Sequence, residues 1–203
     1  MQIDLDTLSP SRAYHLMIQS IVPRPIAWVL SDNGDGTLNL APFSYFNAVC
    51  SDPPVLMLSI GRKADGSDKD TARNIVQRKH FVVHIPHRTL AVEVSESSRP
   101  LPFGESELSR QGLTAVPFAG SVLPRLAEAR VAFACELHST QELGPQLLVF
   151  GRLRQAWLDD AVATTDDKGR VCVDAQALDP LGRLGGDDYS VGGACITVPR
   201  SWR

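Results

Sequence analysis

The chain has 203 residues, a formal net charge of -3 from 20 basic and 23 acidic side chains, and 15 glycines with 14 prolines spread along its length. A chain of this size can bury roughly 70% of its unfolded surface, and so much glycine and proline excludes a long-helix or bundle architecture. The balanced charge lacks the basic excess of a nucleic-acid binder, and no apolar run reaches the ~20 residues that span a bilayer.

The N-terminus, Met1 to Asp6, lacks the basic-then-apolar order of a signal peptide. A cytoplasmic protein of one domain, residues 1–203, is expected. Ser9 and Pro10 supply a hydroxyl cap and a first-turn proline for a helix over 10–21, with Tyr14, Met17, Ile18 and Ile21 on one face. Pro23 and Pro25 then force extended chain. Ala27 to Leu30 and Thr37 to Leu40 flank the turn-rich run Asp32-Asn33-Gly34-Asp35-Gly36 and read as a hairpin.

Val55 to Ile60 and Phe81 to Ile85 have buried-strand character, and Asp70 to Arg78 between them reads as a helix capped by Asp70. Residues 88–125 are the least periodic and are expected to carry one or two short helices on loops. Val131 to His138 and Leu147 to Arg154 alternate as strands joined by a turn over Leu143-Gly144-Pro145-Gln146. The tail, 178–203, begins as a Gly/Asp-rich loop. Six or more short strands with few helices point to a closed or split β-barrel.

Cys50, Cys135, Cys172 and Cys195 form no Cys-x-x-Cys and are expected to be reduced and mostly buried. His80, His84 and His87 lie close in sequence, but no acidic or cysteine ligand stands at a zinc-like interval, so no metal site is expected.

Chemistry concentrates at Gly61 to Thr71, which leaves a strand, crosses a basic loop and enters a helix. A helix N-terminus offers unpaired N–H groups and partial positive charge, Arg62, Lys63 and Lys69 add full charges, and Ser67 or Thr71 a hydroxyl, so the junction suits a phosphate. The alternative is a solvated turn in which Asp65, Asp68 and Asp70 neutralise the cations. Two proline-flanked segments, Ile21 to Val29 and Asn39 to Asn47, leave strand edges that could hydrogen-bond a planar ligand. Phe46 is expected in the core.

Pro23-Arg24-Pro25-Ile26-Ala27-Trp28-Val29, Asn39 to Phe46, Asp52-Pro53-Pro54, Lys69-Asp70-Thr71 with Asn74-Ile75, and Arg183-Leu184-Gly185-Gly186 with Tyr189 together resemble the flavin reductase-like, FMN-binding split-barrel family, in its flavoredoxin-type branch. The resemblance runs from about Ser20 to Tyr189. It implies a mainly β protein with flanking helices, a six-stranded Greek-key split barrel forming a homodimer around non-covalent FMN. Carried over, Arg24, Pro25, Ile26 and Ala27 would border the isoalloxazine, with Ala41, Phe43, Ser44 and Tyr45 along its other edge. Ser59, Gly61, Arg62, Lys69 and Thr71 would hold the ribityl chain and phosphate.

Arg183 and Tyr189 are candidates for contacting the substrate or the partner subunit. The family's reductases carry a Gly-Asp-His type element associated with the nicotinamide substrate where this chain reads Gly144-Pro145-Gln146. This departure weighs against direct reduction by NAD(P)H and leaves FMN binding untouched; the expected activity is an FMN-dependent oxidoreductase of the flavin reductase type, with NAD(P)H or a redox partner protein as candidate donors. The alternative is an FMN-carrying electron-transfer protein reduced by a redox partner protein. The chemistry belongs to the flavin, and no acid, base or nucleophile is singled out as catalytic.

Overall fold

The computed structural model describes residues 1–102 and 105–198; residues 103–104, in the serine- and proline-rich segment, and residues 199–203 of the predicted tail lie outside the described residues. Seven antiparallel strands form the main sheet: β1 (Ala27–Asp32), β2 (Leu38–Phe43), β3 (Phe46–Ser51), β4 (Pro54–Gly61), β5 (His80–His84), β6 (Val131–Leu143) and β7 (Gln146–Leu158). Their order is β2-β1-β5-β6-β7-β4-β3. The edge strands β2 and β3 are consecutive in the chain and separated only by Ser44 and Tyr45, so the two ends of the sheet must meet. The Ser59 amide of β4 donates to the Tyr45 carbonyl (2.8 Å) across that corner. Counted through the corner, β2 and β3 are one bent strand and the barrel has the six strands expected.

The hairpin β1–β2 forms because Gly34 and Gly36 take φ of +85° and +90° in the intervening turn, a region open to glycine at little cost. The hairpin β6–β7 turns at Gly144 (φ +56°) and Pro145, and its arms of 13 residues each extend well beyond the alternating runs seen in sequence. In β7, Gly151 sits beneath the Phe81 ring, where a Cβ would come within 2.4 Å of Cζ.

Strand β1 is buried on both faces. Ala27 and Val29 join Phe43, Leu58, Ile60, Phe81 and Val149 in one core cluster, to which helix α2 (Asp70–Arg78) adds Ala72 and Ile75. Trp28 and Leu30 join Leu40, Val82 and Leu126 in the second, under the 88–126 segment with its short helices α3 (Ala91–Glu96) and α4 (Glu107–Gln111). Trp28 Nε1 donates to Ser97 Oγ at 2.8 Å, tying that segment to the barrel.

Two expectations change, the burial of the cysteines and the cap of α2. Helix α1 (Pro10–Ser20) forms with Ser9 Oγ as its cap acceptor, but it has no buried residue; Tyr14, Met17 and Ile21 are 56%, 42% and 57% exposed. Cys135 alone of the four cysteines is buried, because the others lie on β3, an outlying hairpin and the tail. Helix α2 is preceded by Lys69 as its N-cap, and Asp70 is the first helical residue, its carboxylate drawn to Lys63 and Arg73 instead of the helix amides. Among the described residues no helix is long and apolar enough to cross a membrane.

Candidate functional site

A cleft of about 540 Å³ opens where β4 ends, the loop 62–69 turns, and α2 begins. The loop is braced from within: Lys63 N donates to Ser67 O (2.8 Å), Gly66 N to Lys63 O (2.9 Å), and Asp65 Oδ1 accepts from Ser67 N and Oγ. The solvated-turn reading is met at two of the three cations. Arg62 pairs with Asp68 (2.9 Å) and Lys63 with Asp70 (3.0 Å), as the solvated-turn reading requires. Lys69 has no carboxylate partner among the described residues. Its Nζ lies 5.7 Å from the centre of the Phe43 ring, and burial lowers its pKa.

No side chain caps α2, so the helix presents bare N–H groups and the positive end of its dipole beside that ammonium. Thr71, buried at the second helical position, also lines the cleft. The facing walls come from β2 (Asn39, Ala41, Pro42, Phe43) and from Ser97 to Leu101 with Glu107. Burial raises the Glu107 carboxyl pKa, opposed by the bond it accepts from Leu40 N at 2.9 Å. One apolar wall, one unpaired cation and a helix terminus make a site for an amphipathic anion.

The sequence matches the family model for the flavin reductase like domain over residues 19–173. The chain belongs to this family. The flavin reductase-like chain is 38% identical to the Bacillus subtilis protein YwrF over 201 residues, 96% of each protein. Nitrilotriacetate monooxygenase component B from Bacillus cereus superimposes with a TM-score of 0.89 at 33% identity, covering 98% of both chains. Flavoredoxin of Desulfovibrio vulgaris (Miyazaki F) superimposes with a TM-score of 0.77 at 22% identity, over 99% of this chain and 98% of its own, which establishes a shared fold. That fold is the split barrel expected from the sequence.

Of the residues singled out in the flavin reductase-like sequence, Ala41, Phe43, Arg62, Lys69 and Thr71 meet at the cleft. Ser59 and Gly61 lie beside it on β4, where Ser59 Oγ donates to Gln146 Oε1 (3.3 Å). Ile26 and Ala27 are buried in the core, so their backbone alone is left for a ligand.

Arg24 is also buried. Its guanidinium donates to the carbonyls of Ile18, Ile21 and Leu184 and, through Nε, to Ser44 Oγ, which fastens α1 and the tail to the barrel corner. Arg24–Pro25 pairs with Gly182–Arg183, which pairs in turn with Tyr189–Ser190, so Arg183 stands opposite Arg24 with Tyr189 beyond it, and exposed Pro25 stands opposite Gly182. The Arg183 guanidinium stacks on the Tyr189 ring at 4.6 Å. Tyr45 follows at the corner with its hydroxyl buried and unpartnered and its pKa raised, chiefly by burial.

Sequence reasoning missed Asn39 and Glu107 as cleft residues and Gln146 as the neighbour of Ser59. A buried asparagine in a β2 run that is otherwise apolar (Leu38-Asn39-Leu40) was the available signal. Two of the histidines, His84 and His87, are committed elsewhere. His84, fully buried, holds Trp28 O through Nδ1 (3.1 Å) and accepts from Leu126 N at Nε2 (3.0 Å), while both His87 ring nitrogens face protein oxygens.

Proposed function

We propose that this chain is an FMN-dependent oxidoreductase of the flavin reductase type, passing reducing equivalents through non-covalently held FMN. The observation that carries the reading is Lys69, a partly desolvated ammonium with no carboxylate partner among the described residues, set beside an uncapped helix N-terminus in a cleft with one apolar wall. These residues fit the phosphate and ring of FMN. Lys69, Thr71 and the first amides of α2 would hold the phosphate, with Arg62 adjoining, and Ala41 and Phe43 would give the apolar contact. The helix dipole and Lys69 orient an anion at one end of the cleft and exclude it from the other.

When bound, FMN supplies the redox chemistry itself. Purified protein is expected to be yellow and to release FMN on denaturation. A colourless protein whose fluorescence titration with FMN is flat would refute the assignment.

A second reading, an electron-transfer protein reduced by a partner protein, is favoured by Gln146. It ends the Gly144-Pro145-Gln146 run that stands in place of the reductases' Gly-Asp-His element, and it opens β7 opposite Gly61, its amide within 3.3 Å of where a Gly61 Cβ would stand. Stopped-flow mixing decides between the two: rapid flavin bleaching by NADH or NADPH excludes the carrier, and no bleaching by either excludes the direct reductase. We also propose a homodimer, supported by α1, whose apolar Tyr14, Met17 and Ile21 lie uncovered; this accords with a flavin site completed near a subunit interface.

A further inference from the structure

A chain of polar groups runs from exposed Asp35 in the β1–β2 turn through buried Asn33, Asn74, Ser31 and Asn39 to buried Thr71 in the first turn of α2. Asp35 is ionised at neutral pH, its pKa lowered chiefly by the hydrogen bond from the Thr37 side chain, and a carboxylate can only accept. Thr37 Oγ1 therefore donates to Asp35 Oδ1 (2.6 Å) and must itself accept from Asn33 Nδ2 (2.9 Å). That fixes the Asn33 carbonyl toward Asn74, whose Nδ2 donates to it at 2.8 Å and to Ser31 Oγ at 3.2 Å. Asn39 presents its Nδ2 both to Ser31 Oγ (3.3 Å) and to Thr71 Oγ1 (2.9 Å).

At the cleft end the Thr71 oxygen accepts from Asn39 Nδ2. A hydroxyl that accepts in this way still carries its own proton, and among the described residues no protein group receives it. Thr71 and Asn39 both line the cleft at the α2 terminus.

We propose that Asn39 is a positioning residue: by occupying the Thr71 oxygen it turns the Thr71 hydroxyl into a dedicated donor for the phosphate of the bound flavin. The inference rests on the FMN reading above and adds a role for a residue that makes no charged contact itself. A hydroxyl free to rotate would spend part of its time accepting from the helix amides or donating to a backbone carbonyl. Locked, it adds a donor directed at an anion, and a hydrogen bond to a charged group is the stronger kind.

The test compares FMN with riboflavin, which has the same ring and ribityl chain but no phosphate, by fluorescence titration of apoprotein. Wild-type preference for FMN over riboflavin examines the cofactor reading, and the variants then examine Asn39. Thr71→Val should weaken FMN binding about tenfold and leave riboflavin unchanged. Thr71→Ser, which keeps the hydroxyl, should restore most of the affinity. Asn39→Ala should weaken FMN selectively, and Asn39→Ala/Thr71→Val should lose no more than Thr71→Val alone, because Asn39 acts through that hydroxyl.

Asn39→Leu, close in shape and uncharged but unable to hydrogen-bond, should lose FMN affinity selectively even where Asn39→Ala does not fold. The proposal is overturned if the Asn39 variants lose FMN and riboflavin equally, if the two losses add in the double variant, or if Thr71→Val binds FMN as tightly as wild type.

Discussion

Replacing Lys69 by methionine removes one positive charge while keeping a side chain of similar length against the Phe43 ring. The residue is exposed but its ammonium is partly desolvated, and none of the described carboxylates neutralises it. A unit charge about 4 Å from a phosphate oxygen is worth about 4 kcal/mol at the effective dielectric of a protein surface and about 1 kcal/mol in bulk water. Hydrogen bonds to charged groups contribute about 1.5–3 kcal/mol net. A loss of about 2 kcal/mol, or roughly thirtyfold in Kd, is therefore expected for FMN.

Riboflavin should bind Lys69→Met as it binds wild type, and raising the salt concentration should weaken FMN binding less in the variant. The apoprotein should be no less stable. Burial has already lowered the Lys69 pKa, so the charged form costs folding free energy at neutral pH, a cost relieved only as pH rises past the lowered pKa toward 10.5. Isothermal titration gives the affinities and thermal unfolding of the apoprotein gives the stability. Equal losses for FMN and riboflavin would show that Lys69 shapes the cleft and does not hold a phosphate. An unchanged FMN affinity would transfer that role to Arg62 or to the helix amides.

Three further outcomes follow from the fold and the surface. His84 is fully buried and its pKa is pushed down to about 4, chiefly by desolvation; the unfolded chain takes up its proton below pH 6.5, so stability should fall between pH 6.5 and 4 by about 3 kcal/mol. Urea titrations of wild type and His84→Gln across that range would show the slope flattening in the variant. Gly151→Ala places a methyl against the Phe81 ring and should cost about 1–3 kcal/mol as that ring shifts, read from the denaturation midpoint. Light scattering should give twice the chain mass for wild type, and Met17→Glu with Ile21→Glu should shift it toward the monomer.

Local chemistry was the legible part of the sequence. Ser9-Pro10, the glycines of the β1–β2 turn and the apolar runs of β4 and β5 each specify their element through nearby residues, and all four formed. The Asp70 cap did not, because an N1 carboxylate with Lys63 and Arg73 in reach finds cations closer than the amides. Long-range pairing was invisible: Arg24–Pro25 meets Gly182–Arg183 across more than 150 residues of chain, and two-residue strands leave no periodic signal.

The site divides the same way. Lys69 and Thr71 could be placed from the loop-to-helix grammar of their own segment. Which of three cations remains available depends on Asp68 and Asp70 finding Arg62 and Lys63 first, and the partner of Thr71 lies 32 residues away in Asn39. Periodicity placed Tyr14, Met17 and Ile21 on one side of the α1 segment, but a pattern reports that a face needs covering without saying what covers it, and here the chain itself leaves them exposed.

The central claim is that the α2 terminus with Lys69 holds the phosphate of a flavin. Titration of wild-type apoprotein with FMN and riboflavin in parallel tests it most directly. Saturable binding of one FMN per chain, at least tenfold tighter than riboflavin, is the predicted result. Equal affinity for the two, or binding of neither, would contradict it.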